Sequence, residues 1–216
     1  MSSRSNPLVV ILPGGDGSAD FAPFVKRIYQ HALGDDYLAA QPVAVKWTEE
    51  QSVVWPTDKD RVEKMKFGAE TFVAAVIADV GKRHKLNPER IFTLSWSSSG
   101  PAAYAISLDE KSAVTGSLIS MSVFHEDQIG PLDRAKRHGY YLYHSKEDRV
   151  CPYRFAEQAR DALTKAGGKV ELATYEGGHG WTGNVFGDIR RGIEWLEKNH
   201  GPARDGSSES KRKTKD

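Results

Sequence analysis

The stretch over residues 90–105 constrains the fold more than any other part of the chain. It begins with a short apolar run, residues 91–94, whose β-branched and aromatic side chains are typical of a buried strand. It ends with residues 101–108, which predict a helix because a proline such as Pro101 is tolerated in a first turn. The residues between them are mostly small, so the sequence predicts a strand that turns sharply into a helix.

Ser97 is the candidate nucleophile of this turn. In a nucleophile elbow the reactive residue occupies a strained turn between a strand and a helix, and bulky residues two positions away would collide. With Ser97 as the nucleophile, those two positions are Ser95 and Ser99. With Ser98 or Ser99 instead, Trp96 or Pro101 would stand there. The alternative is a serine-rich loop that only caps a helix, and the rest of the chain decides between the two.

The remainder of the chain alternates between predicted strands and helices. Strands are predicted at residues 8–12, within 37–47 around 43–45, and at 114–121, 140–143 and 169–175, and helices at 20–33, 67–84, 153–166 and 185–199. This alternation predicts an α/β fold with a mainly parallel central sheet of about six strands, covered by helices on both faces. The long connection over residues 48–66 is of the kind that is often functional or mobile.

Length and composition limit the domain organisation and the classes of function. With 216 residues, the chain is long enough for one domain, which we assign to residues 1–200. Residues 201–216 are polar and charged without an apolar face, and are predicted to be a disordered tail. The net charge of +1 gives no electrostatic basis for nucleic acid as a partner.

Cysteine content and hydropathy set further limits. The single cysteine, Cys151, forms no disulfide framework and no metal-binding pattern, so neither a metal nor another cofactor is expected. No apolar run approaches the roughly 20 residues of a membrane span. No apolar signal-peptide region precedes the first strand, so a cytoplasmic location is the default expectation; a secreted chain whose signal had been removed would look the same.

Two further residues complete a candidate catalytic set with Ser97. A serine hydroxyl needs a base to take its proton, and the base works best when an acid orients it. Asp148 and His179 each follow a predicted strand, and a parallel sheet brings such loops to one edge. Asp127, after the preceding strand, and Glu147 are the alternative acids. Glycines on both sides of His179 favour it over the three competing histidines, His125, His144 and His200.

A glycine-rich loop, residues 13–17, follows the first strand and predicts part of an oxyanion hole. One donor is expected from the backbone N–H of Ser98, the residue after the nucleophile. The second is expected from Gly15 or Asp16, because glycines let the backbone approach a substrate carbonyl closely. A phosphate-binding role is less well supported, since the loop lacks the glycine and lysine spacing of a P-loop.

Four motifs, at residues 12–17, 94–100, 144–152 and 175–181, together resemble those of the α/β-hydrolase superfamily, nearest the phospholipase/carboxylesterase group of small esterases. The resemblance implies the α/β-hydrolase fold without a large lid domain, with Ser97 as nucleophile, Asp148 as acid and His179 as base. Two departures stand out. Pro13 occupies a position where the family usually has histidine, and serines replace the usual glycines at 95 and 99. The related dienelactone hydrolases have a cysteine where Ser97 stands.

Tryptophans near the motifs suggest a substrate pocket. Trp96 and Trp181 adjoin the candidate nucleophile and base, and Trp55 lies in the long connection with Trp47 just before it. The alternative is that Trp47 and Trp55 are ordinary core residues. Because no lid-sized apolar insertion is present, we expect a carboxylic ester with a short-chain or aromatic group as the small-molecule substrate. A thioesterase or lysophospholipase acting on longer acyl chains is the alternative, followed by a non-catalytic binding protein that keeps the fold.

Overall fold

The computed structural model describes residues 5–202, and its centre is a sheet of six parallel strands. In chain order they are β1 Asn6–Leu12, β2 Leu38–Ala40, β3 Leu86–Trp96, β4 Gly116–Ser120, β5 Gly139–Ser145 and β6 Lys169–Tyr175. Their order across the sheet is β2-β1-β3-β4-β5-β6, and every neighbouring pair is parallel. The predicted α/β class with a parallel sheet is confirmed.

Helices cover both faces of the sheet. They are α1 Ala22–Ile28, α2 Ala69–Arg83, α3 Gly100–Leu108, α4 Arg154–Lys165 and α5 Val185–Asn199. A 3-10 turn before α1 and a π-helical turn after it make one continuous helical run over residues 19–33, which corresponds to the single helix predicted there. α1 and α5 share a core with one face of the sheet, and α2, α3 and α4 with the other.

The strand β1 shows why the sheet needs continuous apolar runs. Val9 and Ile11 pack toward α1 and α5, whereas Leu8, Val10 and Leu12 pack toward the helices of the opposite face. All five side chains are fully buried. A parallel strand covered on both sides has no solvent-facing positions, so it has no alternating polar pattern.

The second strand lies at the start of the range in which the sequence predicted it. A strand does lie within residues 37–47, but its expected centre at 43–45 is wrong, because β2 is the three-residue edge strand Leu38–Ala40. Pro42 has no N–H to donate to a strand ladder, which accounts for the early end of pairing. Val43 is instead 44% exposed, and the Ala44 N–H donates to the carbonyl of Gly17 at 2.9 Å. This segment therefore supports the glycine-rich loop rather than extending the sheet.

The carboxyl ends of the strands lie along one edge of the sheet, as parallel pairing requires. β3, β5 and β6 end at Trp96, Ser145 and Tyr175, immediately before the three loops that carry Ser97, Asp148 and His179. Open α/β sheets bind their ligands at this edge. The fold therefore brings the three predicted residues to one place.

The far end of the described chain is fixed to the sheet. The buried Gly201 donates its N–H at 2.9 Å to the carbonyl of Thr115, the residue before β4. From residue 203 onward, the predicted disordered tail lies outside the described residues. Between residues 5 and 202, no helix combines the length and the apolar character needed to cross a membrane, and no insertion forms a separate lid domain.

Candidate active site

The turn between β3 and α3 is strained at Ser97. Its φ of 56° lies in the left-handed region, which costs energy for a residue with a Cβ atom. A single 3-10 turn, Ser97–Ser99, then leads directly into α3. Strained backbone of this kind often occurs at functional sites, and this turn has the strand–turn–helix geometry predicted for the elbow.

Close packing around the elbow accommodates the serines that replace the usual glycines. Ser95 and Ser99 are fully buried, and the Ser99 hydroxyl donates to the carbonyl of Leu12 at 2.7 Å. The Ser95 hydroxyl lies 3.5 Å from the carbonyl of Leu118. At Gly100, by contrast, a Cβ atom would lie 2.0 Å from the Ser122 hydroxyl oxygen. Position 100 therefore requires glycine. The serines at 95 and 99 are accommodated because their hydroxyls pair with backbone carbonyls.

Ser97, His179 and Asp148 form a continuous chain of hydrogen bonds. The Ser97 Oγ lies 3.1 Å from the His179 Nε2, and the His179 Nδ1 lies 2.8 Å from the Asp148 Oδ2. The Ser98 hydroxyl points elsewhere and donates to the carbonyl of Gly15 at 2.8 Å. This arrangement can move a proton from a serine hydroxyl to an imidazole that a carboxylate orients.

Backbone groups hold the second carboxylate oxygen of Asp148. Its Oδ1 accepts from the N–H groups of Val150 at 2.9 Å and Cys151 at 2.8 Å. Burial raises the pKa of this carboxyl, but the hydrogen bonds from His179 and from those two backbone groups outweigh burial, so the pKa is lower than usual. Asp148 is therefore ionised at neutral pH. Asp127, the alternative acid, is exposed on the 3-10 turn Glu126–Gln128, away from this hydrogen-bond chain.

A second histidine, His144, also contacts Asp148. Its Nε2 lies 2.6 Å from the carbonyl of Cys151 and 3.2 Å from the Asp148 Oδ2. Burial lowers the pKa of His144, and its side chain is almost fully buried. Because the Cys151 carbonyl can only accept a hydrogen bond, the proton of a neutral His144 is on Nε2. His144 therefore links Cys151 and Asp148, two residues of the same loop. Within residues 5–202, no group of three His, Cys, Asp or Glu side chains is arranged to hold a metal ion.

The loop that carries His179 is rich in glycine, and hydrogen bonds to neighbouring side chains hold it. Gly177, Gly178 and Gly180 have positive φ values of 117°, 75° and 135°. The Gly178 N–H donates to the Ser145 hydroxyl at 3.2 Å, and the Tyr175 hydroxyl donates to the Gly178 carbonyl at 2.8 Å. These bonds fix the peptide groups on both sides of Gly178, next to His179.

The glycine-rich loop after β1 lies against the elbow. The Gly17 N–H donates to the Gly14 carbonyl at 3.0 Å, which closes a tight turn with Gly15 at a φ of 61°. The Gly15 carbonyl accepts from the Ser98 hydroxyl, and the Pro13 carbonyl accepts from the Trp55 indole at 2.9 Å. The predicted oxyanion donors, the N–H groups of Gly15, Asp16 and Ser98, are thus on two neighbouring loops that a side chain joins.

The three tryptophans of the predicted pocket differ in exposure. Trp55 is 3% exposed and packs in the core beneath the glycine-rich loop, which matches the alternative reading of this residue as a core anchor. Trp96 is 5% exposed, and its ring packs edge-on against Phe21 and Phe24 at 5.7 Å each. Trp181 is half-buried and lies 5.9 Å from Trp96. Of the three, Trp181 alone has substantial exposure beside the candidate base.

Sequence reasoning missed the residues that hold these loops together. Ser122, Ser145 and Tyr175 all donate to or accept from backbone atoms of the elbow or the His179 loop. Tyr175 ends β6 and Ser145 ends β5, so position at a strand end was the one available signal. Serine and tyrosine at a strand end are too common for that signal to identify them.

Comparisons with solved structures identify the same architecture in other proteins. Arabidopsis thaliana SOBER1 is 18% identical with a TM-score of 0.66, and the alignment covers 88% of this chain and 99% of that one. Esterase PE8 is 18% identical with a TM-score of 0.66, covering 90% and 93%. The Bacillus cereus carboxylesterase is 16% identical with a TM-score of 0.65, covering 90% and 89%.

No protein-family model matches the sequence, and no curated protein is similar enough in sequence to match it. The identities to the solved structures are low, so these likenesses concern the fold. The chain has the α/β-hydrolase fold that its motifs predicted.

Proposed function

We propose that this protein is a serine hydrolase that cleaves carboxylic esters through an acyl-serine intermediate. The observation that carries the proposal is the hydrogen-bond chain from the Ser97 hydroxyl through His179 to Asp148, with distances of 3.1 Å and 2.8 Å. The strained φ of 56° at Ser97 supports it, because a nucleophile elbow has this geometry. Two of the similar structures are an esterase and a carboxylesterase, which agrees with this chemistry.

In the proposed reaction, His179 takes the proton from Ser97 while the serine oxygen attacks the ester carbonyl carbon. The carbonyl oxygen becomes negatively charged, and backbone N–H groups of Ser98 and of Gly15 or Asp16 stabilise that charge. His179 then gives the proton to the leaving alcohol, and the acyl group stays on Ser97. A water molecule, activated by His179 in the same way, releases the carboxylic acid and restores the serine.

Asp148 has two roles in this scheme. Its carboxylate accepts from the His179 Nδ1, so the proton-free Nε2 faces the serine hydroxyl. Its negative charge also stabilises the imidazolium that forms during each proton transfer. The two backbone N–H groups on its Oδ1 fix the orientation of the carboxylate.

For the substrate, we propose an ester with a short-chain or aromatic group. Among residues 5–202, the connection between β2 and α2 is the longest irregular segment, and its Trp55 and Met65 are buried in the body of the protein. A segment anchored in this way is poorly suited to open as a lid over a long acyl chain. Initial rates on p-nitrophenyl acetate, butyrate and palmitate test this choice, and faster palmitate hydrolysis would favour the thioesterase or lysophospholipase alternative.

The proposed reaction is tested with a fluorophosphonate probe, which reacts with activated serines. We expect one labelled site, and mass spectrometry of the digested protein should map it to the peptide that contains Ser97. Heat-denatured protein is the control, because an unactivated serine does not react. Absence of labelling, together with absence of ester hydrolysis, would support the alternative of a non-catalytic binding protein with this fold.

A further inference from the structure

Ser122 contacts the backbone of the candidate nucleophile. It follows β4 and Met121, it is 4% exposed, and its hydroxyl donates to the Ser97 carbonyl at 2.6 Å. The carbonyl of Val123 is 3.5 Å away, so the single hydroxyl proton is directed at Ser97. The Ser97 carbonyl also accepts from the Gly100 N–H in the first turn of α3.

The hydrogen bond joins Ser97 to the residue after Met121, and Ser97 and Met121 both lie in strained backbone. Within residues 5–202, the non-glycine residues with positive φ are Lys64, Ser97 and Met121, with values of 61°, 56° and 40°. Ser97 and Met121 come directly after the neighbouring strands β3 and β4. Strained conformations persist where surrounding contacts determine them, and the hydrogen bond from Ser122 joins the turn at Ser97 to the turn that follows Met121.

Peptide geometry connects this contact to the oxyanion hole. The carbonyl of Ser97 and the N–H of Ser98 belong to one planar trans peptide, so they point in opposite directions. A group that fixes the carbonyl therefore also fixes the direction of the N–H. A hydrogen bond to the carbonyl also polarises the peptide, which makes its N–H a stronger donor.

The Ser122 side chain lies directly against Gly100. A Cβ atom at Gly100 would lie 2.0 Å from the Ser122 Oγ and 2.4 Å from its Cβ. The absence of a side chain at position 100 thus creates the space in which the Ser122 hydroxyl reaches the Ser97 carbonyl.

We propose that Ser122 is a positioning residue, which holds the peptide between Ser97 and Ser98 so that the Ser98 N–H points at the reacting carbonyl oxygen. The inference rests on the proposed function, because it assigns Ser122 a part in stabilising the transition state of ester hydrolysis. Ser122 acts through the Ser97–Ser98 peptide and forms no bond to the substrate.

The test compares Ser122→Ala with Ser107→Ala. Ser107 is a buried serine of α3, 1% exposed, whose hydroxyl donates to the Tyr104 carbonyl at 2.7 Å and lies 2.9 Å from the Tyr140 hydroxyl. We expect Ser122→Ala to lower kcat for p-nitrophenyl acetate about tenfold at unchanged KM, since oxyanion contacts act in the transition state. This loss is smaller than the roughly 10²- to 10³-fold cost of removing a donor, because the Gly100 N–H still holds the carbonyl.

Binding of a transition-state analogue provides a second measurement, which a general loss of folding stability would not change. Phenylboronic acid forms a tetrahedral adduct on an active serine, so its inhibition constant should rise in Ser122→Ala by the same factor as kcat falls. Ser107→Ala should leave kcat, KM and boronate inhibition at wild-type values. Thermal melting of both variants shows whether their stability losses are comparable.

Each outcome decides the inference. Wild-type kcat in Ser122→Ala, unchanged boronate inhibition, or an equal loss in Ser107→Ala would overturn the role of Ser122 and leave the proposed function standing. A wild-type protein that neither hydrolyses esters nor reacts with a fluorophosphonate would overturn the proposed function, and the role of Ser122 with it.

Discussion

Asp148 presents its two carboxylate oxygens to two different sets of partners. Oδ1 accepts from the backbone N–H groups of Val150 and Cys151, whereas Oδ2 faces His179 and His144 at 2.8 Å and 3.2 Å. An asparagine at this position would keep its oxygen toward the backbone donors, because an amide NH2 cannot accept from them. Its NH2 group would then face the histidines.

This geometry makes Asp148→Asn a sharp test of the acid. An NH2 group facing the His179 Nδ1 forces the ring proton onto Nε2, so the imidazole can no longer take the proton of Ser97. We expect turnover of an activated ester to fall roughly 10³- to 10⁴-fold, with the fold intact. Asp127→Asn is the control, and it should keep turnover near wild type because Asp127 is exposed on its own turn. The reverse pattern would move the acid to Asp127.

Ser97→Ala tests the nucleophile. Removing the hydroxyl that lies 3.1 Å from the His179 Nε2 leaves no group to form the acyl intermediate. Turnover should fall roughly 10⁴-fold or more, and fluorophosphonate labelling should disappear. Circular dichroism and thermal melting should match the wild type. If Ser98→Ala were inactive and Ser97→Ala active, the neighbouring serine would be the nucleophile.

At the scale of elements, the elbow depends on how closely α3 approaches the end of β4. Gly100 begins α3, and the atoms that its missing side chain would meet belong to Ser122 and Ile119. Every residue of α3 from Ala102 to Leu108 is buried. The helix therefore has no freedom to move outward, and any side chain at position 100 must displace the elbow itself.

Gly100→Ala should therefore damage both stability and activity. Its Cβ would lie 2.4 Å from the Ser122 Cβ, and overpacking of this kind typically costs about 1–3 kcal/mol. Gly81→Ala is the matched control, because in α2 the nearest atom to its Cβ would be the Leu86 Cδ1 at 3.7 Å. Alanine should stabilise that helix by about 0.5–1 kcal/mol. Urea unfolding gives both free energies, and an activated ester gives the turnover of each variant.

At the scale of the whole molecule, the sheet could be predicted because its strands are buried on both faces. The strands β1 and β3–β6 are formed by apolar runs, and polar loops follow them. Both are local features of the sequence. The position of β2 within residues 37–47 could not be predicted, because residues 43–45 have the composition of a strand while Pro42 ends the pairing before them. The burial of Trp55 depends on how the long connection packs against Pro13, which is a long-range contact.

The same distinction holds for the candidate site. Ser97, Asp148 and His179 were predicted from loop position and chain order, and the fold brings them within hydrogen-bonding distance. The contacts of Ser122 and Ser145 join residues 25 and 33 positions apart in the chain, so no local sequence pattern indicates them. Their roles follow from the geometry of loops that meet only in the folded molecule.

The opposite edge of the sheet holds a polar cluster that should affect stability alone. The Tyr37 hydroxyl and the Arg90 guanidinium both donate to the Glu197 carboxylate, and the Arg90 guanidinium lies 5.7 Å from the centre of the Tyr37 ring. Arg90 and Glu197 are 31% and 22% exposed. Along β3, Arg90 lies about 20 Å from Trp96 at the rise of an extended strand. The cluster therefore shares no partners with the site.

Glu197→Gln should lower stability while leaving the chemistry intact. The substitution keeps the side-chain volume but removes the charge that two partially buried donors share, which we expect to cost about 1–3 kcal/mol. Glu194→Gln on the exposed face of α5 is the control and should stay within about 0.5 kcal/mol of wild type. Urea unfolding followed by tryptophan fluorescence measures the loss, and p-nitrophenyl acetate turnover well below the midpoint measures the chemistry. We expect equal kcat in all three proteins, because distant sites contribute independently; a fall in kcat for Glu197→Gln would mean that the cluster is coupled to the site through α5.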